Sequence, residues 1–164
     1  MPEDEKQGTA RYVIRIATTA DAAVIAHHRV AMFRDMGMLA DADAAALEAA
    51  ARTYLTQALS GGEYVGWVTE ADGHVVAGGG VVIRPLLPRP GRASGGNEVE
   101  VLNVYTEPAH RRRGLARRLM QEILAWCHGR GITRVTLHAS DDGRPLYESL
   151  GFVATNEMRL ERES

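Results

Sequence analysis

The sequence lacks several features that would narrow its function. Cys127 is its only cysteine, which excludes a disulfide within the chain and a zinc site built on cysteine. No apolar run reaches the length of a transmembrane helix, and the first residues are polar, unlike a signal peptide. From these absences we expect a cytoplasmic protein without a membrane partner, with residues 1–10 as a flexible tail.

An excess of basic charge and a large set of aromatic side chains are also missing. The formal net charge is -2 at pH 7, and aromatic residues make up 5% of the chain. Nucleic-acid-binding domains are usually basic, and those that bind single strands stack the bases on aromatic rings. We therefore expect no nucleic-acid partner, although a steep salt-dependent affinity for RNA or DNA would restore that function through Arg111–Arg113.

What is present is the pattern of one globular domain, which we place at residues 11–164. The 164 residues are 45% hydrophobic and 24% charged, which suffices for a sizeable core. Periodicity, capping residues and turn signals predict the order β-α-α-β-β-β-α-β-α-β. The predicted strands are 11–17, 64–70, 74–84, 98–105, 134–139 and 152–160, and the predicted helices are 18–36, 42–59, 112–128 and 140–150. This order implies an α/β protein with a mixed sheet flanked by helices.

Two glycine-rich stretches interrupt the predicted strands. Gly78-Gly79-Gly80 lies inside a strand, where glycine is unfavourable, so it suggests a β-bulge or a ligand that approaches the backbone closely. Residues 85–97 contain three prolines and three glycines, a composition typical of a loop. We predict that this segment is mobile.

The most informative stretch runs from Val104 to Met120 and passes from a strand through a turn into a helix. At the turn, Arg111, Gly114 and Ala116 form the pattern R-x-x-G-x-A. Gly114 has no Cβ to obstruct a close approach, and the first turn of a helix offers unbonded N–H groups and the positive end of the helix dipole. The stretch therefore predicts a site for an anion such as a phosphate. Alone, the pattern also occurs by chance and on solvated surfaces.

A second motif follows about thirty residues later, after one predicted strand. It extends from Ser140 to Phe152 and ends in Leu-Tyr-Glu-Ser-Leu-Gly-Phe. The two motifs together, on these elements and in this order, resemble the GNAT superfamily of acyl-coenzyme A-dependent N-acyltransferases. The resemblance covers almost the whole chain and implies a twisted, mostly antiparallel sheet of about six or seven strands with about four helices. Two small departures are Ala116, where glycine is also common in the family, and Ser140, where the family often has asparagine.

The resemblance implies acetyl-coenzyme A as co-substrate and assigns its binding residues. Backbone amides from Arg111 to Arg117 would receive the pyrophosphate, and the backbone of Val104 and Thr106 would pair with the pantetheine arm. The Val104 N–H would stabilise the negative charge that develops on the thioester oxygen, and Ser140 would lie on the other side of the arm. The complete cofactor-binding set is Val104, Tyr105, Thr106, Arg111, Arg112, Arg113, Gly114, Leu115, Ala116, Arg117 and Ser140.

Two residues are the catalytic candidates. In the family, a tyrosine at the position of Tyr147 protonates the departing thiolate, although Tyr147 could also be a packing residue. Glu100 lies four residues before Val104, where several members have the base that deprotonates the amine. An exposed, merely charged strand face is an alternative for Glu100, and His138 and Asn103 are weaker rivals.

The acceptor site is less well defined by the sequence. In the family it is formed by the first two helices, their connecting loop and the neighbouring strands. Here this assigns Arg29, Phe33 and Arg34 to substrate binding, with Asp35 and Met36 beside them and residues 85–97 as a possible lid. Arg29 and Arg34 could hold a substrate carboxylate, or they could be surface charges. No metal site is expected, because His27-His28 has no third ligand at a recognisable spacing.

The expected activity is transfer of an acetyl group from acetyl-coenzyme A to a primary amine by direct attack in a ternary complex. A small molecule, such as an amino-acid-like metabolite, is preferred over a protein lysine or N-terminus as acceptor. The alternative from another class is a coenzyme A-binding sensor or interaction module without catalysis. A homodimer is possible by analogy with the family alone.

Overall fold

The computed structural model describes residues 11–162, so the tail predicted at residues 1–10 lies outside the described residues. Nine regular elements follow one another within this range. They are β1 Tyr12–Ile16, α1 Ala22–Asp35, α2 Asp41–Gly61, β2 Tyr64–Ala71, β3 His74–Leu86, β4 Gly96–Thr106, α3 Leu115–Gly129, β5 Arg134–Leu137 and α4 Arg144–Ser149. Short 3₁₀ turns, Thr19–Asp21 and Pro108–His110, lie before α1 and α3. None of the helices in the described range is long and apolar enough to cross a membrane.

The five strands form one sheet in the order β1-β2-β3-β4-β5. All neighbouring pairs are antiparallel except β4 and β5, which are parallel and are connected through α3. The mixed, mostly antiparallel α/β architecture is therefore confirmed, as are the four predicted helices. The strand count of six or seven is wrong for residues 11–162.

The missing strand is the one predicted at 152–160. Residues 152–162 contain no helix or strand, and Val153, Met158 and Leu160 are 81%, 95% and 79% exposed. Alternating apolar residues favour a strand only when a neighbouring strand supplies hydrogen bonds and a core supplies burial. These three apolar side chains are not buried, and no neighbouring strand within residues 11–162 pairs with the segment. In the same range, its only backbone–backbone hydrogen bond outside regular elements is that of Phe152 N–H to Tyr147 O, 3.0 Å.

Helices cover both faces of the sheet. On one face, α3 packs its apolar side, from Leu115 to Cys127, against the central strands. On the other face, α1 and α2 pack around Tyr64 and Val68 of β2. The three-to-four spacing of apolar residues in α3 predicted this packing, and burial of Leu119, Met120 and Ile123 confirms it.

The start of α1 is fixed by a charged cluster under the sheet edge. Asp21 accepts a hydrogen bond from the Thr18 backbone N–H (2.7 Å) and pairs with both terminal nitrogens of Arg15 (2.8 and 2.9 Å). Arg15 also reaches Glu70 of β2. The guanidinium beside the buried Asp21 carboxylate lowers the pKa of that carboxyl. The predicted capping residues therefore begin the helix and also join it to the sheet.

The β3–β4 hairpin is longer than the sequence predicts. β3 continues to Leu86 and β4 begins at Gly96, and these two residues are paired. The connecting loop is thus confined to residues 87–95, and the predicted loop of 85–97 is wrong at both ends. Pro85 fits because proline is tolerated at the ends of strands, where a missing N–H costs little.

Candidate active site

A β-bulge in β4 is the central irregularity of the site. Gly78 is opposite Tyr105 and Gly80 is opposite Leu102, so Asn103 and Val104 together face Gly79. Asn103 has φ +59°, in the left-handed region that asparagine tolerates better than most residues. The bulge suggested by the glycines is confirmed, but its extra residue belongs to β4 and not to the glycine strand.

The Asn103 side chain connects the bulge to α1 and β2. Its Oδ1 accepts a hydrogen bond from Arg29 Nη1 (2.7 Å), and its Nδ2 donates to the Tyr64 hydroxyl oxygen (3.3 Å). Tyr64 is fully buried, and burial raises its pKa to about 12. A Cβ on Gly80 would collide with the Tyr64 ring, so the glycine makes room for that ring. The sequence indicated neither contact.

Beyond the bulge, β4 and β5 separate. Their parallel pairing ends at Val101 and Leu137, whereas β4 continues to Thr106. The N–H of Glu107 donates to Val76 O of β3 (2.9 Å). Because backbone groups alternate between the two edges of a strand, those of Val104 and Thr106 point to the edge away from β3. No strand covers this edge within residues 11–162, so an extended ligand can pair with it.

The turn that follows β4 presents a group of unbonded backbone amides. Arg112 and Gly114 have φ +64° and +75°, and the first N–H bonded at the start of α3 is that of Arg118, to Gly114 O (3.1 Å). Within the described residues, the N–H groups from Arg112 to Arg117 have no hydrogen-bond partner. Successive unbonded amides with residues of positive φ form a concave anion site, which the helix dipole strengthens.

The arginine side chains of this turn have different roles. Arg111 donates to Thr106 O (2.8 Å) and to Asp35 Oδ2 (2.6 Å), and this carboxylate raises the pKa of the guanidinium. Its backbone N–H contacts Pro108 O at 3.3 Å. Arg111 therefore joins the turn to α1, while Arg112 and Arg113 are exposed beside the amides. The expected cationic surroundings come from these two residues.

Helix α4 lies next to the first turn of α3. Arg117 Nη2 donates to Ser149 Oγ (2.9 Å), and Ser140 Oγ accepts the N–H of Gly143 (3.1 Å) before α4 begins. Tyr147 is half-buried against Phe152, with ring centroids 6.0 Å apart. Burial raises the pKa of Tyr147, so the phenol keeps its proton at neutral pH. Tyr147 thus lies on α4 and Ser140 in the turn before it, and their assigned roles stay predictions.

Glu100 and its rival His138 form a pair. The Nδ1 atom of His138 lies 3.0 Å from Oε1 of Glu100, and Arg84 Nη2 lies 3.3 Å from Oε2. Glu100 is opposite Val82 of β3, on the sheet face covered by α1 and α2. A proton accepted by one member of the pair can pass to the other. The two candidate bases are therefore hydrogen-bonded to each other, and either one could be the group that first accepts the amine proton.

The acceptor residues predicted on α1 separate into two groups. Arg29 lines a cavity of about 370 Å³ between α1, α2 and strands β2 to β4, and Phe33 stacks against its guanidinium at 4.7 Å. Arg34 is exposed and lies 3.5 Å from Asp41, and Asp35 is bonded to Arg111. Met36 is exposed and is not part of the cavity lining. Within residues 11–162, no group of three or more side chains suited to a metal ion occurs.

The cavity also contains residues that the sequence did not indicate. They come from α2 and the sheet, and they give the cavity a mainly apolar wall: Leu47, Ala50, Ala51, Tyr54, Leu55, Tyr64, Val82 and Leu102. The α2 members recur at helical spacing, so a continuous apolar stripe was visible in the sequence. That the stripe lines a cavity and is not wholly buried depends on the distance between α2 and β4, which no local pattern specifies.

A mixed sheet that opens between two parallel strands, beside a helix N-terminus with unbonded amides, is the arrangement of N-acyltransferases that use acyl-coenzyme A. The acetyltransferase (GNAT) family model matches residues 24–152. The chain therefore belongs to the GNAT family, and the resemblance and the acyltransferase class predicted from the sequence are confirmed.

The chain is similar to three other proteins, of which the first supports the family assignment and the second shows the fold. A GCN5-related N-acetyltransferase from Ralstonia eutropha JMP134 is 34% identical, with a TM-score of 0.83 over 93% of this chain and 99% of that one. A predicted acetyltransferase from Clostridium acetobutylicum, solved with acetyl-CoA, shares the fold at 24% identity and a TM-score of 0.82, over 93% of this chain and 96% of that one. The glucosamine 6-phosphate N-acetyltransferase of Trypanosoma brucei brucei is 33% identical over 93 residues, which span 56% of this chain and 60% of that relative.

Proposed function

We propose that the protein transfers an acetyl group from acetyl-coenzyme A to the primary amine of a small molecule, by direct attack in a ternary complex. The observation that carries the proposal is the juxtaposition of the open β4 edge with the unbonded amides from Arg112 to Arg117. An extended pantetheine arm and a pyrophosphate need these two features side by side. The residues present therefore fit acetyl-coenzyme A.

Two parts of the co-substrate, the pyrophosphate and the pantetheine arm, have matching groups on the protein. The amides of the turn would bind the pyrophosphate, with Arg112 and Arg113 adding positive charge. Backbone groups of Val104 and the N–H of Thr106 would pair with the pantetheine amides, as a neighbouring strand would, while Thr106 O is already bonded to Arg111. Tyr105 keeps β4 in place, because its ring packs against buried His28 with centroids 5.1 Å apart.

The reaction requires one proton to leave the amine and one to reach the thiolate. Acetyl-coenzyme A supplies the acetyl thioester. The Glu100–His138 pair accepts the amine proton, and the amine nitrogen forms a bond to the thioester carbon while the carbon–sulfur bond breaks. The Val104 N–H stabilises the charge on the carbonyl oxygen. Tyr147 gives its proton to the departing sulfur, because a phenol still carries its proton at neutral pH.

A small molecule is the acceptor class that the available observations favour. The cavity beside the bulge is partly open and has a volume of about 370 Å³, within the usual range for small-molecule sites. The trypanosomal relative at 33% identity is named for an amino-sugar phosphate, which is a small primary amine. Amino sugars and amino acids are therefore the amines to test first.

The first experiment is a calorimetric titration of acetyl-coenzyme A into the wild type and a Gly114→Glu variant. The glutamate places bulk and negative charge where the pyrophosphate is expected, so we predict micromolar binding for the wild type and at least a tenfold loss in the variant, about 1.4 kcal/mol. Gly131→Glu is the matched control. Gly131 also has positive φ (+68°) and open space around it, but it lies beyond the other end of α3, so its variant should bind normally.

The outcomes separate the candidate functions. Failure of a folded wild type to bind acetyl-coenzyme A would overturn the proposal. Binding followed by thiol release with amines would support the transferase. Binding without thiol release from any amino sugar, amino acid or peptide N-terminus would instead identify a coenzyme A sensor.

A further inference from the structure

Arg29 is a half-buried cation for which the described residues supply no counter-charge. Its guanidinium bonds to the neutral amide of Asn103 (2.7 Å) and stacks on Phe33, and it forms no ion pair within residues 11–162. Arg34 on the same helix and Arg111 nearby both pair with carboxylates. Removing a charge from water without a partner is unfavourable. Because Arg29 lines the cavity, a ligand there can supply the missing negative charge.

The polar groups around Arg29 are suited to an acceptor-rich ligand. Both ends of the Asn103 amide are already bonded, to Arg29 and to Tyr64. The Tyr64 oxygen accepts the Asn103 N–H, and its own proton has no acceptor among the described residues. Beyond Asn103, the polar side chains that line the cavity are Arg29, Tyr54 and Tyr64, which all carry N–H or O–H donors. The remaining lining is apolar.

A negative charge, that of Glu100, lies on β4, the strand that also carries Asn103. Glu100 is two residues before Leu102 and opposite Val82, and both of these neighbours line the cavity. Residues two apart on a strand share a face and are separated by about 7 Å. A carboxylate that can accept an amine proton therefore lies beside the residues that line the cavity, and an arginine lines it at the bulge. An acceptor with an amine at one end and an anion at the other would match both charges.

We propose that the acceptor is an amine with an apolar body and an anionic group, a carboxylate or a phosphate, and that Arg29 binds that group. That the ligand carries an amine depends on the proposed function. The anion site does not, because it is a binding site that can be measured without catalysis. Arg29 is thereby the residue that determines specificity for the acceptor.

The test is a titration of the wild type with hexanoate, hexyl phosphate and the neutral hexanamide, with and without coenzyme A. Hexanoate and hexanamide share a pentyl chain and hexyl phosphate has a hexyl chain, so the three probes have similar apolar parts and differ chiefly in the terminal group. We expect hexanoate or hexyl phosphate to bind at least tenfold more tightly than hexanamide, as for a charge-assisted pair. The stronger of the two anions identifies the preferred group. Equal binding of hexanamide, or no binding of either anion, would overturn the proposal.

Variants assign the effect to Arg29. Arg29→Gln should remove the preference for the anion, and Arg29→Lys should retain part of it because the charge remains. Arg52→Gln, at an exposed arginine of α2 outside the cavity lining, removes the same charge and should leave the preference unchanged. Circular dichroism verifies that each variant is folded. An equal loss in Arg29→Gln and Arg52→Gln would show a general charge effect and refute the assignment, whereas absence of thiol release would refute only the acetyl transfer.

Discussion

At the bulge, contacts of Tyr64 with Asn103 and with position 80 explain why β3 has a glycine there. Tyr64 is fully buried, its hydroxyl is bonded to Asn103, and its ring occupies the space that a side chain at position 80 would need. Glycine is poor strand material because it loses more conformational freedom than other residues on folding. At Gly80 this cost is offset by the packing of a large aromatic ring. The glycine at position 80 is therefore explained by a contact with β2.

Gly80→Ala tests that contact. The new Cβ would collide with the Tyr64 ring in an overpacked region, so we expect a loss of about 2 kcal/mol in the free energy of unfolding. Urea denaturation measures it. Gly129→Ala, at a helical glycine with open space around it, should leave the stability unchanged or raise it slightly. Equal effects of the two substitutions would contradict the role of Tyr64.

Tyr147→Phe tests the proton donor. The substitution keeps the ring packed against Phe152 but removes the hydroxyl, so acetyl-coenzyme A affinity should change little while turnover falls about a hundredfold or more. Single-turnover kinetics with a rapidly acetylated amine give the chemical rate. Tyr12→Phe, which removes a hydroxyl bonded to His110 at 2.9 Å, is the control. An unchanged chemical rate in Tyr147→Phe would exclude the assigned role.

At the level of elements, the bulge changes which face of the sheet the residues of β4 use. Before it, Val99 and Val101 pack toward α3, and Glu100 and Leu102 face α1 and α2. After it, Tyr105 packs on His28 of α1, while Val104 contacts the α3 side. Simple alternation would have placed Val104 on the face of Glu100. The extra residue is therefore what directs the Glu100 side chain and the Val104 side chain to opposite faces of one strand.

Substitutions at Asn103 measure the energy stored in the bulge. Both Asn103→Ala and Asn103→Gly lose the hydrogen bonds to Arg29 and Tyr64, but only alanine also bears the cost of positive φ. We expect both variants to be less stable than the wild type, and alanine to be worse than glycine by about 1 kcal/mol. Chemical denaturation of the two variants side by side gives the difference. If alanine were as stable as glycine, position 103 would not hold a strained backbone.

The whole molecule is a sheet enclosed between α3 on one face and α1 with α2 on the other, and Cys127 reports on the first of these layers. The thiol is buried in the α3 core, and burial raises its pKa. A thiolate is the reactive form, so both effects slow its modification. We expect a thiol reagent to label the native protein at least a hundredfold more slowly than the protein in denaturant. Equally rapid labelling of both forms would contradict the close packing of α3 against the sheet.

The sequence by itself determined the features that depend on local patterns. The spacing of apolar residues and the capping and turn residues predicted all nine elements that the structure contains within residues 11–162, and the second motif placed Tyr147 on a short helix. The pattern around Gly114 predicted a turn with unbonded amides, because such amides are an unavoidable property of any helix start. Arg111 was assigned to the same site, yet its side chain is committed to Asp35, 76 residues away in the sequence. A motif of this kind predicts the conformation of the backbone, but it does not predict which of its side chains are already bonded to distant residues.

Only the tertiary structure decided the features that depend on distant residues meeting. The extra residue at Asn103, the early end of β5 and the missing strand at 152–160 all depend on which strands become neighbours. The pairing of Glu100 with His138 and the lack of a counter-charge at Arg29 are likewise invisible in a linear pattern. Periodicity reports what each segment can bury, whereas hydrogen bonds and charges across the sheet follow from long-range packing. Long-range packing therefore determines the shape and lining of the cavity between α1, α2 and the sheet.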